Sequence, residues 1–375
     1  MSSSPVKPQI IHVASLGLTL ENFVTPLLCG PLQENLEHTL ISGTDSTDVG
    51  ASDKKLRLGR SESSLLYSWI FSRGNYSAFG KNLPTAVHIH TPATALALLP
   101  TLRRLKRKGV RLLYTARGSF DESGSATQRV LWHFMDPLKW KLWDGVCVTN
   151  DALKIVAEGT DSRVNMKISF GATALKTPQI KLSDDEITYW DGQNPLNLVW
   201  MGRFDRDKRL EDFIEIVRRV NKLLPGGCRG HVLGCELPGD TGKAISDPTL
   251  ITFYGWVTDP FPVLSRCDLL ISTSIREGYG LGPIEAALVG TPSIAIANHG
   301  TRESVPLVGG TLVGGTKVGK TCNEEIQSAI LLHTQESMMV RLQNRDTVQR
   351  LSHEAVASFS SASQLFDFYS EVMAR

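Results

Sequence analysis

The feature that most constrains this chain is an alternation that runs through it twice: short β-branched or apolar runs, separated by stretches with the period of amphipathic helices. In the N-terminal half the strand-like runs are "QIIHVAS", "HTLIS", "AVHIHT", "RLLYTA" and "GVCVTN"; in the C-terminal half they are "NLVWMGRF", "GHVLG", "ITFYGW", "DLLIST" and "PSIAIA". Strands alternating with helices build a parallel sheet covered by helices. The helical period is plainest after "NLVWMGRF". There Leu210, Phe213, Ile214, Val217, Val220 and Leu224 share one face, Glu211, Asp212, Glu215, Arg218 and Arg219 take the opposite one, and "PGG" at 225–227 stops the helix.

A chain of 375 residues is too long for one ordinary core and suits two. Between the halves, residues 174–195 are polar, carry turn residues and show no sustained period, as a domain linker would. The expected fold class is therefore α/β: two Rossmann-like domains, residues 1–178 and 195–355, facing each other across a cleft with ligands at the carboxyl ends of the strands. The tail, residues 356–375, ends in the helical pattern "ASQLFDFYSEVMAR" with no strand after it.

Composition excludes several classes. Apolar residues at 41% and charged residues at 21% describe a globular chain rather than a disordered one, and a net charge of +2 gives no support to nucleic acid as the main partner. There is no apolar run of membrane-spanning length, and "MSSSPVKPQIIHVAS" lacks the apolar region of a signal peptide, so a cytoplasmic location is expected. The cysteines Cys29, Cys147, Cys228, Cys235, Cys267 and Cys322 form no CxxC pair or cluster with histidines and read mostly as small core residues.

In "IREGYGLGPIEAALVGTP", residues 275–292, Glu277 and Glu285 lie eight positions apart across a glycine-rich strand-to-helix turn. Glycines admit close approach of a ligand, and the free N–H groups and dipole of a helix start favour an anion such as phosphate. Carboxylates repel phosphate, so the two glutamates would face hydroxyl groups, which sugars and ribose supply. The alternative is a tight turn with a solvated Glu277 and a dipole-stabilised Glu285. A second constellation, "GRFDRDKR", places Arg203 and Lys208 at the end of the domain's first strand. Two cations there could neutralise a diphosphate without a metal, Arg203 by a forked contact and Lys208 as a point charge; otherwise they are surface charges.

Gly202-Arg203, Lys208, "FYGWV", "CDLLISTSIREGYGLGPIEAALVGTPSIA" and "GTRESV" together resemble the donor-binding domain of the family 4 retaining glycosyltransferases with the GT-B fold, over most of residues 197–315; the spacing of Glu277 and Glu285 is that family's E-x7-E motif. "AVHIHTPATALALLPTLRRLKRKGVRLLYTARGSF" resembles, more loosely, a segment of the polysaccharide and lipid-linked glycan members that usually reads "HxHTP" and then "YTAHG". Here Arg117 replaces the usual histidine; an arginine can support a departing phosphate but cannot act as a base near neutral pH.

The resemblance implies that Arg203 and Lys208 hold the donor diphosphate with the turn Gly278, Tyr279, Gly280 and Leu281, whose last two residues contribute backbone N–H groups. Glu285 would bind the ribose, Glu277 the transferred sugar, and Glu277 and Arg117 would be the residues nearest the chemistry. It further implies a last helix that crosses back to the N-terminal domain, a hexose or N-acetylhexosamine moved from a UDP sugar, or next a GDP sugar, to a glycan or lipid-linked acceptor, and no metal or other cofactor. Competing readings are a non-catalytic nucleotide-sugar-binding protein, suggested by Arg117, and a nucleotide-sugar epimerase.

Gly17, in the turn after the first strand, His90, near a strand end, and Trp256, in "FYGWV", are candidate substrate contacts; each also reads as ordinary turn or core, and His88 as a buried histidine. Asp205-Arg206-Asp207 is formally a D-x-D metal motif, but it lies inside the cation-lined loop. The run Arg103, Arg104, Lys106, Arg107, Lys108 and Arg111 is either a solvated face or a site for anionic lipid headgroups that would hold the protein at a cytoplasmic membrane face. Trp132, Trp140 and Trp143 would join that surface or fill the first core.

Overall fold

The computed structural model describes residues 7–15, 17–42, 54–57, 84–117, 135–136, 139–158, 164–167, 194–234, 249–314, 320–336, 338–359 and 362–375. The chain divides into two compact units, one formed by Met1–Ala174 with Phe359–Arg375, the other by Leu175–Ser358.

The first unit is built on a parallel seven-stranded sheet: β1 (Gln9–Ala14), β2 (Glu37–Ser42), β3 (Lys54–Arg57), β4 (Ala86–Ile89), β5 (Arg111–Ala116), β6 (Gly145–Val148) and β7 (Val164–Lys167), in the order β3-β2-β1-β4-β5-β6-β7. Every residue of β4 and β6 is buried, as expected of parallel strands with both faces covered. One face carries Ile11, Val13, Val87, Leu112 and Val146 in a core with Leu102 and Leu105 of the helix Leu99–Arg107. The other packs Ile10, Ala86, Leu113 and Cys147 against Leu365, Phe368, Tyr369 and Val372 of the last helix, Ala362–Ala374. Contact there is close: a Cβ on Gly145 would meet Phe368 and Val372 at 2.8 Å.

The second unit repeats the plan with β8 (Leu196–Met201), β9 (Cys228–Leu233), β10 (Ile251–Gly255), β11 (Leu269–Ser272), β12 (Ser293–Ile296) and β13 (Thr311–Val313), all parallel, in the order β10-β9-β8-β11-β12-β13. The amphipathic helix runs over Leu210–Leu223 and buries Leu210, Phe213, Ile214, Ile216, Val217 and Val220. Winding outward in both directions from the first strand creates a switch point, between β1 and β4 in one unit and between β8 and β11 in the other. At a switch point the loops leaving adjacent strands part and open a crevice.

The structure adds three strands that the apolar pattern does not announce, β3, β7 and β13, all at sheet edges. Of the two readings of the tryptophans, core filling holds for Trp143, which is buried in the first core with its ring 5.0 Å from that of Tyr114, and Trp140 packs, partly buried, beside it; Trp132 lies outside the described residues. Of the cysteines described, Cys147, Cys228 and Cys267 are buried and Cys29 is exposed; Cys235 lies outside the described residues, and the surroundings of Cys322 are not described. No described helix is long and apolar enough to cross a membrane.

Candidate functional site

The switch point of the second unit brings together the loop leaving β8, residues 202–209, and the loop leaving β11, residues 273–280. Their cations and carboxylates pair. Lys208 Nζ lies 2.5 Å from Glu277 Oε1, with about a fifth of each side chain exposed. Arg203 Nη2 lies 2.6 Å from Asp205 Oδ2, and Arg276 pairs with Asp207. The other oxygen of Asp205 accepts the backbone N–H groups of Asp207 and Lys208 at 3.0 Å each. Both carboxylates of the D-x-D are thus paired with cations, and Asp205 also with backbone N–H groups, which brace the loop.

Buried groups fix these loops from beneath. The indole N–H of Trp200 donates to Thr273 Oγ1 at 3.0 Å, and the Thr273 hydroxyl lies 2.9 Å from the carbonyls of both Lys208 and Arg209. Arg209 sits in the left-handed region at φ 52°, a conformation that costs a residue with a side chain about 1–2 kcal/mol. The chain turns sharply there to place Lys208 before the Leu210–Leu223 helix begins. Asn298, beyond β12, donates to the Ser274 carbonyl at 3.0 Å and accepts the N–H groups of Gly300 and Thr301. Gly300 lies against the Glu277 turn: a Cβ there would fall 2.8 Å from the Glu277 carbonyl oxygen and 2.9 Å from the Tyr279 nitrogen.

The β11 turn ends at Gly280, left-handed at φ 80°, which is the N-cap of the helix Leu281–Leu288. No side chain caps that helix start, so its first N–H groups are available to an anion. Next to them, a Cβ on Gly282 would meet nothing within 4 Å. Glu285, on the helix's second turn, is partly buried, and burial pushes its carboxyl up to about 7. Tyr279 points its ring inward and is 6% exposed, whereas Trp256, just past β10, is 51% exposed and does not belong to the core. Arg203, Lys208, Glu277, the Gly278–Leu281 turn and Glu285 therefore share one end of one sheet. The braces Asp207, Arg276, Thr273 and Asn298 gave no signal in the sequence beyond the D-x-D itself.

In the first unit a buried polar cluster runs across β2, β1 and β4. His12 Nδ1 faces His90 Nε2 at 3.1 Å, and His12 Nε2 faces His38 Nδ1 at 3.0 Å. His38 Nε2 lies 3.2 Å from the Leu32 carbonyl, which can only accept. With the rings neutral, that carbonyl sets every tautomer: His38 donates to it, His12 to His38, and His90 to His12. His88 spans Tyr369 Oη at 2.8 Å and Thr115 Oγ1 at 2.7 Å. Burial holds His12 and His90 well below the usual histidine range and His88 at about 3.

Nitrogens of His12, His88 and His90 lie within 4.8 Å of one another, a spacing that ligands of one metal share. Here both nitrogens of His88 are taken by hydroxyl groups, and the positive charge of Arg117 acts on His88 and His90. The cluster therefore reads as a hydrogen-bonded core. His90 has no exposed surface: it follows β4 directly, and its ring faces His12. Arg117, at the end of β5, stacks 4.3 Å over the Phe23 ring, and burial lowers its guanidinium to about 9. Gly17 opens the helix Gly17–Phe23 after β1.

Known proteins share this architecture. Residues 195–330 match the family described as Glycosyl transferases group 1. That match lies within the second unit, and the chain has the GT-B fold. EpsD of Bacillus subtilis (strain 168), provisionally named a glycosyltransferase, is 23% identical over 237 residues, which are 58% of this chain and 60% of EpsD. The match thus spans less than two thirds of that relative. An uncharacterized 41.2 kDa protein of the cps region of Klebsiella pneumoniae is 23% identical over 308 residues, 76% of this chain and 80% of that protein. Among solved structures, Anabaena Alr3699/HepE in complex with UDP and glucose superposes with a TM-score of 0.68 at 14% identity, covering 98% of this chain and 99% of that one.

Proposed function

We propose that the protein is a retaining glycosyltransferase that moves a hexose or N-acetylhexosamine from a nucleoside diphosphate sugar, UDP first and GDP next, to a glycan or lipid-linked acceptor. The observation that carries this reading is the Lys208–Glu277 pair at the switch point, beside an uncapped helix start and a partly buried carboxyl at Glu285. The UDP in the HepE complexes supports the choice of nucleotide.

Arg203 and Lys208 hold the diphosphate, assisted by the N–H groups of Gly280 and Leu281. As the bond from the anomeric carbon to the phosphate oxygen breaks, negative charge grows on that oxygen and is stabilised by the cations and the helix dipole. Glu277 holds a hydroxyl of the transferred sugar and Glu285 the ribose hydroxyls. The acceptor hydroxyl attacks from the face the phosphate leaves, and a phosphate oxygen takes its proton, so the configuration is retained. No step calls on a metal, in keeping with a D-x-D whose carboxylates bind Arg203 and Arg276.

The basic helix gives the acceptor side a membrane reading. Lys106 and Arg111 are tied to Asp144, while Arg103, Arg104, Arg107 and Lys108 are exposed and suit anionic headgroups. Salt-sensitive sedimentation with anionic vesicles tests this, and no sedimentation at low salt refutes it. For transfer itself the test is release of UDP from UDP-glucose and UDP-N-acetylglucosamine. Slow release, lost in Glu277→Ala, supports a transferase; binding without release supports the non-catalytic reading that Arg117 suggests, and interconversion of the sugar without acceptor supports an epimerase.

A further inference from the structure

Lys208 and Glu277 are not the only partners across the switch point. Asp207 precedes Lys208 on one loop, Arg276 precedes Glu277 on the other, and they pair as well. Each pair spans 69 residues of sequence, so neither is a product of local structure. The two rungs have opposite polarity: acid then base on the β8 loop faces base then acid on the β11 loop. The main chain runs in the same register, with the Ile275 N–H donating to the Asp207 carbonyl at 2.9 Å.

Opposite polarity makes the arrangement specific. If either loop slipped by one residue, Asp207 would meet Glu277 or Lys208 would meet Arg276. Each slip sets like charges together in a half-buried place, where they repel more strongly than in open water. Two rungs of the same polarity would attract equally well and would tolerate the slip. We propose that Asp207 and Arg276 are positioning residues whose charges fix the register between the two loops, and so the place of Lys208 and Glu277. The inference rests on the nucleotide-sugar reading of the site for its functional consequence, and on the loops alone for its structural one.

A charge swap separates register from simple attraction. Asp207→Arg with Arg276→Asp keeps that rung attractive but gives both rungs the same polarity, so that a slipped register no longer brings like charges together. The unliganded swap variant is expected to keep its thermal midpoint within about two degrees, yet its Ile275 amide should exchange with deuterium about tenfold faster, and its affinity for UDP should fall about tenfold. The single variants Asp207→Asn and Arg276→Gln should lose affinity to a similar extent.

Full recovery of the wild-type Ile275 exchange rate in the swap variant would overturn the proposal, because the pair would then be an ordinary tether. Loss of affinity in Arg276→Gln but not in Asp207→Asn would also overturn it, since Arg276 would then be touching phosphate itself. If the wild-type chain binds no nucleotide, the nucleotide-sugar reading fails, and the exchange rate in the unliganded protein still decides the register.

Discussion

At the scale of single residues the site is built from opposed costs. Glu285 keeps a carboxyl in partly dry surroundings that raise it to about 7. The folded state therefore holds a proton that the unfolded chain has already released near the ordinary carboxylate value. Stability contributed by that proton is present at acid pH and is lost as pH rises to about 7, above which burying the charge costs on the order of 2–3 kcal/mol. Glu285→Gln is expected to raise the thermal midpoint by several degrees at pH 8 and hardly at all at pH 4.5, while weakening nucleotide binding at both; an equal midpoint change at the two pH values would contradict this. The motif residues Arg203, Lys208, Glu277 and Glu285 are legible in the sequence because they sit at fixed offsets from strand and helix signals. Their braces are not. Asp207 and Arg276, or Asn298 and Ser274, meet only after the sheet forms, and no local pattern joins residues so far apart.

Among the elements, nine of the ten apolar strand runs stand out in the sequence because they are central parallel strands that bury both faces, while the tenth, β10, is an edge strand in which only Ile251 is buried. "KKLR", "VNMK" and "TLV" escape notice because an edge strand needs no such run. Glycine positions carry information that side chains do not: Gly300→Ala is expected to push the Glu277 turn aside, costing about 1–3 kcal/mol of stability and reducing UDP affinity at least tenfold, read by titration calorimetry beside thermal unfolding. The last helix makes a buried polar contact as well as its apolar ones. Tyr369→Phe leaves a nitrogen of the buried His88 without its hydroxyl partner and is expected to cost about 1–3 kcal/mol. Because His12, His88 and His90 are held neutral by burial, the unfolded chain binds more protons than the folded one below about pH 6.5. Stability of the first unit should therefore fall as pH drops from 7 toward 5, and a midpoint flat across that range would contradict the buried cluster.

For the whole molecule, the first unit is discontinuous in sequence and the second is not. Removing residues 359–375 strips Leu365, Phe368, Tyr369 and Val372 from the first unit's core. It is expected to lower the first unit's unfolding midpoint by ten degrees or more on a rough reckoning of about 1.5–3 kcal/mol per buried side chain, while leaving nucleotide binding by the second unit in place. Loss of both would contradict the assignment of the donor site to the second unit. The central claim, that the β8–β11 switch point binds a nucleoside diphosphate sugar, is tested most directly by the thermal unfolding midpoint against a panel of UDP, GDP, ADP and dTDP and their sugars. A ligand at about a hundred times its dissociation constant adds roughly 2.7 kcal/mol, a rise of several degrees. The account predicts that rise with one nucleotide, UDP first, and its loss in Arg203→Ala; no rise with any of them, or one that survives Arg203→Ala unchanged, would contradict it.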